Sequence, residues 1–244
     1  MSEILIVNPN TSTEVTANLD RLARAELGPA ITVRSVTAAF GARYIGSRVG
    51  VAIAGHAALD AYASALAAGA RPDAVVLACF GDPGLDALRE ISSVPVFAFA
   101  DSGLTEAAAH PGRFAIATIG AAWADMLAEL VERRGLRDRL ATIMALGDDS
   151  RVAEVAARNI AAGAAAAGAS RVIVGGTGLI PIMDEIVHAL AVPVIDPHRI
   201  TLRAAVGAAT EFRVPVPQGS DFAGIAPALH RLLRQAPDSL APSA

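Results

Sequence analysis

PDAVVLACFGDPG, residues Pro72–Gly84, joins an unbroken apolar run to an abrupt turn, and the fold class follows from it. Ala74-Val75-Val76-Leu77-Ala78 has the character of a strand buried on both faces, as parallel strands are. The run ends at Cys79, the only cysteine in the chain, and Phe80-Gly81-Asp82-Pro83-Gly84 turns at once. Ligands of open α/β sheets bind just beyond the carboxyl ends of strands. A free cysteine is more often a small buried hydrophobe than a reagent. Its place at a strand's end, before a Gly/Asp/Pro turn, favours the functional reading here.

Outward from this strand, the chain alternates strands and helices. Ile4–Val7 is a short apolar strand that runs into Asn8-Pro9-Asn10-Thr11-Ser12, where Thr11 or Ser12 can cap a helix over Thr13–Ala25. That helix start offers free backbone N–H groups to a carboxylate or carbonyl oxygen. Ile31–Val36 alternates like a strand, Gly41–Gly50 is a glycine-rich loop, and Val51–Ala68 reads as an alanine-rich helix. After the Cys79 turn come a helix, Leu85–Ile91, and a strand, Val94–Phe99. The pattern then restarts. Strands at Phe114–Ala117, Thr142–Leu146 and Val172–Val174 alternate with helices at Trp123–Arg134, Arg151–Ala167 and Ile182–Ala189, before Val192-Pro193-Val194-Ile195-Asp196.

The two halves resemble one another. VVLACFGDPGLDALREISSVPVFAF aligns with VIVGGTGLIPIMDEIVHALAVPVID, so that Val75 falls on Val172 and Cys79 on Gly176. The Val-Pro-Val triplets at Val94 and Val192 match after a single-residue insertion. Such internal similarity indicates related lobes. The expected fold is α/β: two pseudo-symmetric Rossmann-like lobes, each a short parallel sheet flanked by helices, with the active site in the cleft between them. Residues 1–98 plus 200–244 form the first lobe, which carries Cys79, and 99–199 the second, which carries the Gly175–Gly178 turn. Helices near Thr201–Thr210 and Ala223–Arg234 are expected to return to the first lobe, with a frayed tail at Gln235–Ala244.

Composition narrows the chemistry. With 53% hydrophobic and 18% charged residues, the 244-residue chain is core-rich rather than disordered. A net charge of −4 without a basic cluster argues against nucleic acid. Val51–Ala70 is mostly alanine and contains His56 and Asp60, too weak for a membrane span. One cysteine excludes an internal disulfide and a multi-cysteine zinc site, and fits a reducing cytoplasm. All 20 basic residues are arginine. Without lysine there is neither a pyridoxal-phosphate Schiff base nor a P-loop lysine. No cofactor and no metal are expected; the expected partners are a small-molecule substrate and further copies of the chain in a homo-oligomer.

ILIVNPNTS at the N-terminus, ACFGDPGL around Cys79 and VPVIDP at 192–197 resemble the aspartate/glutamate/hydantoin racemase superfamily, and within it the hydantoin and allantoin racemase branch. The resemblance spans nearly the whole chain. It implies two pseudo-symmetric α/β lobes and cofactor-independent chemistry, with one cysteine from each lobe flanking the substrate's α-carbon. One thiolate removes the proton and the opposite thiol returns one on the other face. The family's second cysteine lies in a Gly-Cys-Ala-Gly-like motif, where this chain has Gly175-Gly176-Thr177-Gly178. Gly176 cannot carry a proton, so racemisation by two symmetric cysteine bases is not available.

Three mechanisms suit a single cysteine. Cys79 can act with water or Thr177 on the Gly176 side; it can protonate, from one face, an enolate released by bond cleavage, as in the superfamily's arylmalonate decarboxylases. It can also be a covalent nucleophile, as in maleate isomerases or toward a cyclic amide. Each carbon-acid route needs enolate stabilisation, expected from the N–H groups of Phe80 and Gly81 on one wall and Thr177 and Gly178 on the other. Helix starts beside Asn10–Ser12 and after Asp82 are expected to favour the Cys79 thiolate. The expected binding residues are Asn8, Asn10, Thr11, Ser12, Tyr44, Phe80, Gly81, Asp82, Thr118, Ile119, Gly176, Gly178 and His198, with Cys79 and Thr177 catalytic. Trp123 is expected chiefly to pack its lobe. A reduced member that binds a small carboxylate or cyclic ureide without turnover is the alternative outside enzymology; α-proton exchange in D₂O separates the two.

Overall fold

The sequence repeat is a repeat of topology. The computed structural model describes residues 2–208 and 221–234. The first sheet is built from β1 (Glu3–Asn8), α1 (Thr13–Leu27), β2 (Thr32–Thr37), α2 (Arg48–Ala67), β3 (Ala74–Leu77), α3 (Leu85–Ile91) and β4 (Val96–Ala98). After α4 (Phe99–Ala109), the second contains β5 (Phe114–Ile119), α5 (Ala121–Arg133), β6 (Leu140–Leu146), α6 (Ala153–Ala167), β7 (Arg171–Val174), α7 (Met183–Ala189) and β8 (Val194–Ile195). Helices α8 (Pro197–Gly207) and α9 (Pro227–Arg234) follow. The strand orders β2-β1-β3-β4 and β6-β5-β7-β8 are the same arrangement used twice, and every pairing is parallel.

The correspondence extends to single hydrogen bonds. Ala78 N donates to Val7 O and Gly175 N to Ala117 O, both at 2.9 Å, which carries each central ladder one residue past the strand. Val75 N donates to Pro95 O and Val172 N to Pro193 O, again both at 2.9 Å. The two Val-Pro-Val triplets therefore lead into edge strands, where the missing proline N–H costs no ladder bond.

Alternation along the strands distributes side chains among three cores. Leu5, Val7, Val75 and Leu77 face Tyr62 of α2, Leu88 of α3 and Leu229 of α9. Ala115, Ala117, Val172 and Val174 face Ile160 of α6 and Met183 and Ile186 of α7. Ile4, Ile6, Val76, Ile116 and Ile173 join one shared core with Phe80, Phe99, Trp123 and Leu202. Each fully buried large aliphatic contributes about 1.5–3 kcal/mol, so this common core ties the two sheets together. Helix α2 is long and apolar enough to cross a membrane by length and composition, but 50% of that stretch is buried inside the protein.

Several expected boundaries move. The strand expected to include Phe99 ends at Ala98, and α4 follows without a loop. No residue at the start of α4 caps it; its first amides are satisfied by Asp82, 18 and 19 residues earlier. The helix expected from Arg151 starts at Ala153 after a 3₁₀ turn over Asp148–Arg151, and Thr177–Ile182 forms another 3₁₀ segment before α7. The tail at 235–244, and residues 209–210 of the helix expected to reach Thr210, lie outside the described residues.

Candidate active site

The carboxyl ends of β1, β3, β5 and β7 border a cavity of about 160 Å³, below the roughly 300 Å³ at which drug-sized pockets begin. Cys79 lines one side and Gly176 another, with Phe80, Thr118, Ile119, Thr177 and Gly178 completing the strand-end wall. Asn10, Tyr44 and Trp123 also face it, as do Val15, Arg43 and Ile45. A wider depression of about 640 Å³ lies by α5 and the edge strand β6, with Arg113, Asp125, Arg137 and Asp138 in its lining. No cysteine, histidine or strand-end turn reaches it; the smaller cavity is the one with chemistry in its walls.

The turn after β1 is a polar scaffold. Asn8 is fully buried, and its Nδ2 donates to Asn10 Oδ1 at 3.0 Å, Ser12 O at 3.1 Å and Thr16 Oγ1 at 3.0 Å. Asn10 Oδ1 also accepts from Ser12 N at 2.8 Å. With its oxygen held from two sides, the Asn10 amide is fixed in orientation, and its Nδ2 has no partner among the described residues. Asn10 therefore offers the cavity a pre-aimed donor. Ser12 caps α1 through Val15 N at 3.3 Å, and Thr11 N donates to Ala42 O at 3.1 Å. Asn8, Thr11 and Ser12, expected as binding residues, shape the turn and are not among the residues that line the cavity.

Cys79 is 8% exposed and reaches the cavity. Burial, reinforced by the neighbouring Asp82 carboxylate, pushes its thiol well above the ordinary cysteine range. This overturns the expectation of a thiolate favoured by helix starts. The start of α4 is answered by the Asp82 carboxylate, and the sulfur is removed from water. Asp82, at φ 53°, turns away from the cavity; its two oxygens accept from Ala100 N at 2.9 Å and Asp101 N at 2.6 Å. Burial raises the Asp82 carboxyl to about 7, against the pull of those two amides. Asp82 is thus the cap of α4 and an electrostatic neighbour of the sulfur, and it does not line the cavity.

On the opposite wall, Gly176 has φ +116°, a conformation that side chains rarely adopt, and a Cβ there would find Thr118 Oγ1 at 3.6 Å as its nearest neighbour. The space is open while the backbone is glycine-like. Thr118, buried at the end of β5, is therefore the hydroxyl closest to where a residue-176 side chain would begin. Next to it, Gly175 is closed in another way: a Cβ would lie 2.4 Å from the Phe80 ring, so Phe80 occupies that volume. The backbone N–H groups of Phe80, Gly81, Thr177 and Gly178 donate to no partner among the described residues. Those of Phe80, Thr177 and Gly178 belong to cavity-lining residues, whereas Gly81 lies behind, against the Trp123 ring.

Two contacts cross the cleft. Tyr44, 60% exposed, donates its hydroxyl to Ile119 O at 3.2 Å, and Trp123 Nε1 donates to Ile45 O at 2.8 Å. Trp123 both packs and lines the cavity. His198 packs but does not line it. It is 0% exposed in the first turn of α8, with Nδ1 2.9 Å from Asp196 Oδ1 and its ring edge-on to Phe99 at a 4.8 Å centroid distance. Asp196 caps that turn and Pro197 sets its first position, which directs the imidazole into the protein rather than the cleft. His198, expected as a binding residue, is thus placed away from the cavity lining. Sequence reading missed Val15, Arg43 and Ile45; the last two flank Tyr44 in the glycine-rich loop and were within reach of the same argument.

Comparison with known proteins gives a consistent picture. A sequence model of the family described as Asp/Glu/Hydantoin racemase matches residues 4–205. The hydantoin racemase of Paenarthrobacter aurescens is 30% identical over 210 residues, covering 83% of this chain and 89% of that protein. The hydantoin racemase of Pseudomonas sp. (strain NS671) is 27% identical over 202 residues, covering 80% of each. The solved allantoin racemase from Klebsiella pneumoniae superposes with a TM-score of 0.80 at 26% identity, over 94% of this chain and 99% of that one.

Proposed function

The chain belongs to the Asp/Glu/hydantoin racemase family and is an enzyme of the racemase type; from that premise we propose that it works without a cofactor, through Cys79 alone, on a small carboxylate or cyclic ureide with an acidic α-carbon. The observation that carries this reading is the pairing of Cys79 with Gly176 at equivalent strand ends across one small cavity. The Cys79 thiolate takes the α-proton and becomes the thiol. The enolate oxygen is held by Asn10 Nδ2 and by the unpartnered N–H groups of Phe80, Thr177 and Gly178. The carbon then takes a proton from a water on the Gly176 side, beside the Thr118 and Thr177 hydroxyls, and the hydroxide so formed is neutralised by the Cys79 proton through solvent. Each donor of this kind contributes about 10²–10³ in rate. Because the thiol is raised, the rate climbs with pH as the thiolate fraction grows.

A second reading is favoured by that same raised thiol: Cys79 as an acid, protonating from one face an enolate released by decarboxylation or another bond cleavage. Here the rate is flat with pH below the thiol's ionisation. The test is α-proton exchange in D₂O on 5-substituted hydantoins and on amino acids, followed by NMR as a function of pH. Cys79→Ser is expected to lower turnover about 10³-fold, within the 10²–10⁴ typical of a general acid or base, with an unchanged melting temperature. Exchange that survives this replacement would refute both readings. Absence of exchange in the wild type, with ligand binding intact, would make the chain a binder.

A further inference from the structure

We infer that the substrate carries an anionic group beyond its reacting carbon, and that Arg43 is the residue that selects it. This rests on the proposed carbon-acid reading for the identity of the pocket, and goes beyond it to the charge of the ligand. Other arginines of the chain are neutralised by carboxylates. Arg48, at the start of α2, pairs with Glu129; Arg89 and Arg134 share Asp101. Arg43 is exposed, lines the cavity and has no carboxylate partner among the described residues. No other charged side chain lines that cavity. Its position at the rim is fixed from both sides: Ala42 O accepts from Thr11 N at 3.1 Å, and the Tyr44 hydroxyl is held by Ile119 O at 3.2 Å.

A guanidinium is a planar fork matched to carboxylate oxygens. The interior of the cavity supplies only neutral donors, the Asn10 amide and the backbone N–H groups of Phe80, Thr177 and Gly178, which suit a carbonyl or enolate oxygen. A ligand that uses both sets has a neutral carbonyl at the inner end and a carboxylate at the mouth. Hydantoins with a carboxylated 5-substituent have this form; those with an alkyl or aryl substituent leave Arg43 unanswered.

The experiment compares hydantoin-5-acetate with hydantoin-5-acetamide, which differ in charge at nearly constant shape. Two readouts are taken on the full chain: α-proton exchange in D₂O, and protection of Cys79 from alkylation by iodoacetamide. The carboxylate is expected to be preferred about tenfold in both, as for a charge-assisted hydrogen bond at an exposed site, and added salt should erode the preference. In Arg43→Gln the carboxylate-to-amide ratio is expected to fall toward one, while Arg43→Lys keeps part of it. Protection without exchange sinks the carbon-acid reading and leaves this inference standing. Equal protection by both compounds in the wild type, a ratio unaffected by Arg43→Gln, or protection by neither overturns the inference.

Discussion

The turn after β3 and the turn after β7 occupy equivalent positions, yet one is closed around a sulfur and the other is open. In the first, Cys79 is almost fully buried, Phe80 fills the volume beside Gly175, and Asp82 reaches forward to cap α4. In the second, Gly176 leaves space up to Thr118 Oγ1, and the chain passes into a 3₁₀ segment with no carboxylate at its start. The same strand order and the same ladder bonds support both. Topology fixes where a turn can meet the cleft; side-chain size and charge in the turn decide what it does there.

Gly176→Cys gives the sharpest test of that asymmetry. It places a second thiol on a Cβ that meets nothing closer than 3.6 Å, and the expected outcome is two-sided racemisation, read as decay of optical rotation at least tenfold faster than in the parent. The φ of +116° should cost about 1–3 kcal/mol of stability. If the variant folds but gains no racemisation, the walls are not functionally equivalent positions.

Gly175→Ala probes the contact between the turns. A methyl group 2.4 Å from the Phe80 ring must displace it, and overpacking of this kind costs about 1–3 kcal/mol. Chemical denaturation should show the loss, and pairing with Phe80→Leu should recover part of it. Failure of that rescue would mean that the turns do not pack as a unit.

Asp82→Asn has the smallest effect on turnover; it removes the charge beside Cys79 and leaves one oxygen for the two amides at the start of α4. Removing the carboxylate is expected to lower the Cys79 ionisation, by less than burial raises it, so that alkylation rises at lower pH. The fold should respond with a definite sign as well. A carboxyl raised to about 7 from its ordinary 3.8 stabilises the native state fully below pH 3.8, and that contribution is lost as pH rises toward 7. Asn at position 82 should flatten this part of the stability profile. A thiol titration identical to the wild type would remove Asp82 from the account of Cys79.

Much of this was legible in the sequence. The apolar runs ending in Asn8, Cys79, Thr118 and Gly176 announce parallel strands, and the self-alignment pairs Cys79 with Gly176 from sequence alone. What escaped had non-local causes. Helix α4 carries no capping residue of its own because Asp82 supplies the cap from a distant turn. The thiol's ionisation depends on burial, which spacing does not report. His198 follows an Asp-Pro pair that looks like a turn, and only packing against Phe99 reveals it as interior. Asn8 and Ser12 carry the expected polar chemistry but spend it within the turn and on the cap of α1, and Thr11 N is taken up by Ala42 O.

Tyr44 and Trp123 span the cleft in opposite senses, each donating to a carbonyl on the other sheet's side. A parting of the halves would break both hydrogen bonds together, at about 0.5–1.5 kcal/mol apiece, so a ligand admitted that way meets a concerted barrier. Bulky reagents should then reach the sulfur at a rate set by this breathing rather than by their own reactivity, and a ligand seated within would keep the two halves latched.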